Sequence, residues 1–331
     1  MATGVQVKGG KFFIGGGASL LGSHVAEQLL AKGAAQVVLF DNYSLGSPEA
    51  VEFLLGDERV KLVRGDLLRL NEVLDATQGI DGVFLVAAFL TLPMSQNPWM
   101  GLDVNIRGTQ NLLDASGRNG VKRFIFSSSS TVYGNAVEGT VTEDHPFITK
   151  GLSPPPTIYG ATKIIGEQLC ALYGQKYGFG WMSLRYSSLY GERQHRRGLN
   201  ALFIVQAHDR IRSGEQPIIY GDGTEVHDYL YAGDVARANI LAMESGLDAE
   251  KVNIMTGVET SLNEVCAMLG RVCNVKVTPE YRQKAGGLAF TSSKTLSYSR
   301  AKAEKLLGWK PEVDLEQGIR RLVAWREKNG I

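Results

Sequence analysis

The fold turns on Lys11-Phe12-Phe13-Ile14-Gly15-Gly16-Gly17-Ala18-Ser19-Leu20-Leu21-Gly22. Residues 11–14 have the length and apolar character of a buried strand, three consecutive glycines then break it, and residues 20–32 carry apolar side chains at helical spacing. Strand, glycine loop and helix in immediate succession let the backbone pass close to a ligand. They also aim the unpaired N–H groups and the positive end of the helix at it, which is how a loop holds phosphate charge.

The same alternation runs outward from this stretch. Short apolar runs at 37–40, 61–64, 83–86, 123–127 and 181–185 read as strands, and segments 102–118 and 159–177 are long and periodic enough to be crossover helices. Six strands alternating with helices predict an α/β fold, a doubly wound parallel sheet of Rossmann type. After Tyr190 the pattern loosens into a smaller C-terminal lobe that closes with helices at 301–307 and 315–328, while a strand at 251–255 and a helix starting at Asp234 are expected to return to the large sheet. The expected division is therefore 1–185 with about 234–256 in one unit, and 186–233 with 257–331 in a smaller substrate-binding lobe. Pro154-Pro155-Pro156 reads as a stiff lead-in to the helix at 159–177.

Composition narrows the function. The 331 residues suffice for about two domains. A balance of 35 Lys+Arg against 34 Asp+Glu gives nothing that would drive binding to nucleic acid or an anionic membrane. Glycine, at 39 residues, is well above the usual proportion of about 7% and implies many tight turns or close backbone approaches. Cys170, Cys266 and Cys273 are too scattered for a disulfide framework or a zinc site, so they read as reduced, buried fillers and no metal is expected. The uncharged stretch 82–102 is interrupted by Pro93, Ser95, Gln96, Asn97 and Pro98, and residues 1–10 lack the apolar core of a signal peptide. A cytoplasmic protein is the expectation.

Asp41 stands at the end of the second strand, where a carboxylate can accept both ribose hydroxyls of NAD and repel a 2′-phosphate. Loop, strand and acid together read as a dinucleotide site. Further on, the strand at 123–127 ends in Ser127-Ser128-Ser129-Ser130-Thr131-Val132-Tyr133-Gly134, and Tyr159 and Lys163 stand four apart on one helical face. A phenol with an ordinary pKa near 10 is a poor base at neutral pH, and a neighbouring ammonium together with a cationic nicotinamide lowers it; about three units corresponds to ~4 kcal/mol. A serine hydroxyl opposite, Ser129, would orient a substrate alcohol.

At this point the chain resembles the extended short-chain dehydrogenases, in particular the NAD-dependent epimerase/dehydratase branch that acts on nucleotide sugars. The likeness rests on the loop at 15–22, Asp41-Asn42, Gly65-Asp66, Ala87-Ala88, residues 105–109, 129–134, 159–163, 185–191, Gly221-Asp222-Gly223 and Leu307-Gly308-Trp309. The resemblance implies that Gly16, Ser19, Leu20, Leu21, Gly22, Asp41, Asn42, Asp66, Leu67, Ala87, Ala88, Asn105, Ser127 and Tyr186 line the NAD site, with Asp66 facing the adenine. It makes Tyr159 the base, Lys163 its electrostatic support and Ser129 the hydroxyl partner, with Ser130, Ser188, Asn200, Tyr220 and His227 on the substrate side. It implies a redox-neutral cycle in which a sugar hydroxyl is oxidised and the keto intermediate is reduced again on its other face. Ser130 and Thr131 stand where the 4,6-dehydratases and decarboxylating members carry an acid, which favours 4-epimerisation. A homodimer through the helices at 102–118 and 159–177 is also implied.

The sequence departs from that pattern in four places. Ser19 stands where a glycine is usual, a position that would be strained if it needs positive φ, and its hydroxyl could instead donate to phosphate. His227 replaces the arginine that grips the diphosphate, Ala285-Gly286-Gly287 replaces a second polar contact for which Arg282 or Lys284 could substitute, and Ser188 replaces an asparagine. These changes leave two alternatives beside the nucleotide-sugar epimerase: an NAD-dependent dehydrogenase or epimerase of a free sugar, polyol or sugar acid, and a silent NAD-binding sensor. Around His195, the residues Arg193, Arg196 and Arg197 read either as an anion clamp or as a solvated loop. Trp99 and Met100 read as packing or cleft wall, and His24, His145 and His208 as structural or surface residues.

Overall fold

A computed structural model describes residues 4–135, 139–194, 203–283 and 297–331. Seven parallel strands form its central sheet, in the spatial order Glu250–Ile254, Gly180–Tyr186, Arg123–Ser129, Gly82–Leu85, Lys11–Gly15, Gln36–Asp41, Val60–Arg64. Lys11–Gly15 starts the chain near the middle. The next two strands step outward on one side, and the remaining four cross over and step outward on the other, so the topological switch lies between Lys11–Gly15 and Gly82–Leu85. Ligands of such sheets bind over that switch, at the carboxyl ends of the strands.

The strands are apolar on both sides because helices cover both faces. Phe12 and Ile14 point into a core closed by helices Leu20–Ala31, Ala232–Glu244 and Ala301–Leu307, whereas Phe13 points into one closed by Leu70–Ala76, Thr109–Arg118 and Pro154–Tyr177. Side chains alternate across a strand, so one short run feeds both cores. Glu250–Ile254 joins the sheet through Gly180–Tyr186. Beyond the sheet, strands Ser188–Tyr190, Val226–Tyr231 and Glu259–Ser261 form a second, three-stranded sheet, packed through Tyr190, Tyr229 and Tyr231 against helices Phe203–Arg212, Leu262–Cys273 and Leu315–Lys328.

Two helices differ from the sequence expectation. The segment expected as one helix over 102–118 is three pieces, with a π-helical turn, Asp103–Gly108, between Pro98–Leu102 and Thr109–Arg118. There Asn105 bonds sideways to Phe89 and Thr162, and a π-turn accommodates such an insertion. The three prolines are not a lead-in: the helix begins at Pro154, and its first turn tolerates them because those N–H groups would lack intrahelical partners anyway. Trp99 and Met100 are not cleft wall either, since their helix turns outward and leaves Trp99 81% exposed.

Candidate active site

A cavity of about 1240 Å³ lies over the carboxyl ends of the central strands and extends to the smaller sheet. Its floor begins at the glycine loop. Gly16 adopts φ +84°, and a Cβ there would come within 2.6 Å of the Ala87 backbone nitrogen, so only glycine fits. Gly22 does not line the cavity; a Cβ on it would meet the Gly16 carbonyl oxygen at 2.5 Å, so its part is to seat the helix against the loop. Ser19 is unstrained, at φ −124°. Its hydroxyl donates to the Gly16 carbonyl at 2.6 Å and accepts from the Gly22 N–H at 3.2 Å, so it caps the helix. In this arrangement the hydroxyl proton is committed to the loop, not presented to a phosphate.

Asp41 ends its strand at the cavity edge, almost buried, and its two carboxylate oxygens accept from Ala18 N at 3.0 Å and Tyr43 N at 2.8 Å. It therefore ties the glycine loop to the turn after the second strand. Leu20, Leu21, Asn42, Asp66, Leu67, Ala87 and Ala88 line the same half of the cavity. Asn105 does not: it is buried, accepts from Phe89 N at 2.7 Å, and donates to Phe89 O at 2.9 Å and Thr162 Oγ1 at 3.2 Å. Its place is behind the wall, pinning the loop after Gly82–Leu85 to helix Pro154–Tyr177.

The four consecutive serines each take a different partner. The Ser127 carbonyl accepts from Lys163 Nζ at 2.8 Å, and its hydroxyl faces Tyr186 Oη at 3.4 Å. Ser128 donates to Glu167 Oε1 at 2.7 Å. Ser129 is hydrogen-bonded to Tyr159, and its hydroxyl also accepts from Thr131 N at 3.2 Å. Ser130 is hydrogen-bonded to Tyr298. Helix Pro154–Tyr177 packs along this strand end and brings Tyr159 and Lys163 to it, with Nζ 5.7 Å from the Tyr159 ring centre. Burial pushes the Tyr159 phenol up, partly offset by Ser129, and pushes the Lys163 ammonium down to about 8, opposed chiefly by Glu167.

At the other end, Ser188, Tyr220 and His227 line the cavity on three strands outside the central sheet. His227 Nε2 lies 2.9 Å from Glu225 Oε1, and its ring is 5.6 Å from that of Tyr229. Asp228 beside it is bound by Ser187 Oγ at 2.8 Å, Thr256 N at 3.1 Å and Gly257 N at 2.7 Å; burial nonetheless raises its pKa. Asn200, His195, Arg196, Arg197, Lys284 and the Ala285-Gly286-Gly287 stretch lie outside the described residues. Arg193 is neither an anion clamp nor solvated: it is buried and bonds His24 Nδ1 at 2.7 Å and Glu27 at 2.8 Å. His24 is buried with it and pushed down to about 3 by burial and by Arg193.

Phe89, Gln194, Glu225 and Glu259 also line the cavity and carry no signal in the sequence. They come from loops and edge strands with no spacing signal. Glu167 did carry one, four residues after Lys163. Among the described residues, no group of three His, Cys, Asp or Glu side chains could hold a metal ion, and no helix is long and apolar enough to cross a membrane.

The residues present fit a dinucleotide. The Gly16 cradle would be filled by any Cβ, the capped helix start opens on the cavity, and Asp41 stands at the next strand end. Fold and site define a nicotinamide-dinucleotide enzyme of the short-chain dehydrogenase type. The chain belongs to the NAD dependent epimerase/dehydratase family, whose model matches residues 12–254. It is 30% identical over 336 residues to a UDP-glucose 4-epimerase of Lacticaseibacillus casei, covering 95% of this chain and 96% of the relative. Its fold matches the crystal structure of a UDP-glucose 4-epimerase from Thermotoga maritima with UDP-glucose, at a TM-score of 0.85 and 31% identity over 97% of this chain and 100% of that one. A UDP-glucuronic acid 4-epimerase from Bacillus cereus, in complex with UDP-glucuronic acid and NAD, matches at a TM-score of 0.84 and 27% identity over 96% of this chain and 99% of that one.

Proposed function

We propose that this chain is an NAD-dependent 4-epimerase of a nucleoside diphosphate sugar. The observation that carries the reading is the meeting of Ser129, Tyr159 and Lys163 at one strand end in the same cavity as the Gly16 cradle and Asp41. Gly16, Ser19 to Gly22 and Asp41 hold or shape the diphosphate and ribose end, Asp66 and Leu67 the adenine end. When bound, NAD supplies a hydride acceptor and later donor, and a cationic ring that favours a phenolate. Tyr159 takes the proton of the sugar C4 hydroxyl and later returns it. Ser129 hydrogen-bonds that hydroxyl, and the Lys163 ammonium stabilises the phenolate against the burial that opposes it. Ser130 and Thr131 supply no second acid for elimination. UDP is the handle we favour, in keeping with the UDP-sugar relatives, with Ser188, Asn200, Tyr220 and His227 on that side. Incubating the NAD-loaded protein with UDP-sugars and following the C4 epimer by proton NMR tests the reading; no epimer from any UDP-, dTDP- or GDP-sugar would overturn it.

The domain division belongs to the same reading: residues 1–185 with about 234–256 bind the cofactor, and 186–233 with 257–331 bind the substrate. A homodimer is supported by an apolar stripe on helix Pro154–Tyr177. Ile158, Ile165 and Leu172 are spaced by seven residues and all exposed, Leu172 at 57%. Leu172→Glu is expected to turn a dimer into a monomer in light scattering, whereas a monomeric parent chain would remove this part of the proposal. We place the protein in the cytoplasm, in keeping with three free cysteines.

A further inference from the structure

Behind the catalytic face lies a polar cluster that the reaction as described does not use. Glu167 is 1% exposed, one helical turn beyond Lys163 and two beyond Tyr159. Its Oε1 accepts from Ser128 Oγ at 2.7 Å and Arg185 Nε at 2.8 Å, and its Oε2 from Arg185 Nη2 at 2.8 Å, with Lys251 Nζ 3.6 Å away. Arg185 is itself held by the Tyr133 hydroxyl at 2.9 Å and the Glu143 carbonyl at 3.0 Å. One carboxylate thus joins three elements: the catalytic helix, the end of strand Arg123–Ser129 and strand Gly180–Tyr186.

The partner on the strand end is Ser128, between the residue whose carbonyl holds Lys163 and the residue whose hydroxyl meets Tyr159. A shift of Ser128 would move both. We propose that Glu167 is a positioning residue for the reaction, fixing the Ser127–Ser129 strand end against the catalytic helix and supplying the counter-charge for the Lys163 ammonium. The groups around Lys163 are consistent with that role. Tyr159 and Cys170 face it from its own helix, the latter a thiol pushed well up by burial and so uncharged at neutral pH. The Phe126 ring and the Ser127 carbonyl face it from the neighbouring strand. Tyr133, Arg185, Tyr186 and Lys251 lie on the adjoining turn and strands, with Arg185 and Lys251 drawn to the same carboxylate. Glu167 stands four residues after Lys163 on the same buried helical face, and its carboxylate opposes the burial that pushes the ammonium down.

The inference rests on Lys163 being the support of Tyr159, and its test needs no sugar. In the NAD-loaded protein with ¹³C-labelled lysine, the Lys163 Cε signal, assigned by its loss in Lys163→Met, is titrated with pH. Glu167→Gln is expected to lower its midpoint by about one unit, tenfold in proton affinity. Lys251→Met removes a cation that competes for the carboxylate and is expected to raise it. A carboxylate whose charge is spent wholly on Arg185 leaves the Lys163 midpoint unmoved in Glu167→Gln. Should Glu167→Gln fail to fold, Ser128→Ala decides in its place, because it removes the bond by which Glu167 holds the strand end: a shifted Lys163 midpoint supports the proposal, and an unmoved one overturns it. Where epimerase turnover is measurable, Glu167→Gln is expected to lower kcat about tenfold at pH 7 with KM within about twofold; a change confined to KM would count against it. An epimerase reading that fails leaves the titration readable, so the two failures are separable.

Discussion

The Lys163 ammonium donates to the Ser127 carbonyl oxygen at 2.8 Å, and this bond ties helix Pro154–Tyr177 to the strand end that carries Ser129. It also fixes the ammonium beside a phenol that burial would otherwise keep protonated. Position and charge are delivered by one group, so they are lost together.

Lys163→Met is accordingly expected to lower kcat by about a hundredfold or more, within the usual range for a general acid–base group, while leaving the fold intact by circular dichroism. The pH dependence follows from the signs. The ammonium is held down to about 8 by burial, so as pH rises through that value the charge supporting the phenolate is lost. The kcat/KM profile should turn down there, and a profile still climbing well above pH 9 would remove Lys163 from this role.

Asp41 has two tasks, one visible in the fold and one in the ligand. Its carboxylate accepts from the Ala18 and Tyr43 N–H groups and faces the cavity where a ribose would lie. Asp41→Ala is expected to weaken NAD about tenfold or more, since charge-assisted bonds contribute about 1.5–3 kcal/mol, and to narrow the preference over NADP. Fluorescence titration with both dinucleotides checks this; an unchanged ratio would reassign the residue to loop support alone.

His227 faces the cavity but is drawn to Glu225. A histidine cannot make the bidentate grip on a diphosphate that an arginine makes. His227→Arg is therefore expected to tighten UDP binding to the NAD-loaded protein by up to about tenfold, part of the gain being taken up by pairing with Glu225. Calorimetry reads it directly. No change would place the diphosphate elsewhere in the cavity.

Most of the nucleotide-binding half was legible because its physics is local. Residues 11–22 show strand, glycine loop and helix in order, and the strand alternation around them dictates a parallel sheet with its site over the switch point. Tyr159 and Lys163 were legible from their spacing of four on a helix. Less legible was whatever depends on a partner distant in sequence. Asn105 looks like a cavity residue until Phe89 and Thr162 are seen to hold it behind the wall. Ser19 looks like a strained phosphate donor until its φ and its two loop bonds are known. Arg193 looks like one of a basic surface run until His24 and Glu27 enclose it. Glu225 lies just before strand Val226–Tyr231 and Glu259 opens the three-residue edge strand Glu259–Ser261, stretches too short for any periodicity to signal which side chains converge.

A redox-neutral inversion at C4 leaves its mark on the hydrogen of that carbon. NAD-loaded protein would be given a UDP-sugar carrying deuterium at C4, and the product read by NMR and mass spectrometry alongside absorbance for reduced cofactor. The expected product is a C4 epimer that keeps its deuterium at C4, with no stoichiometric build-up of reduced NAD and no reaction with Tyr159→Phe. Loss of the label from C4, or one reduced NAD accumulating per sugar consumed, would contradict it and make the chain a net dehydrogenase.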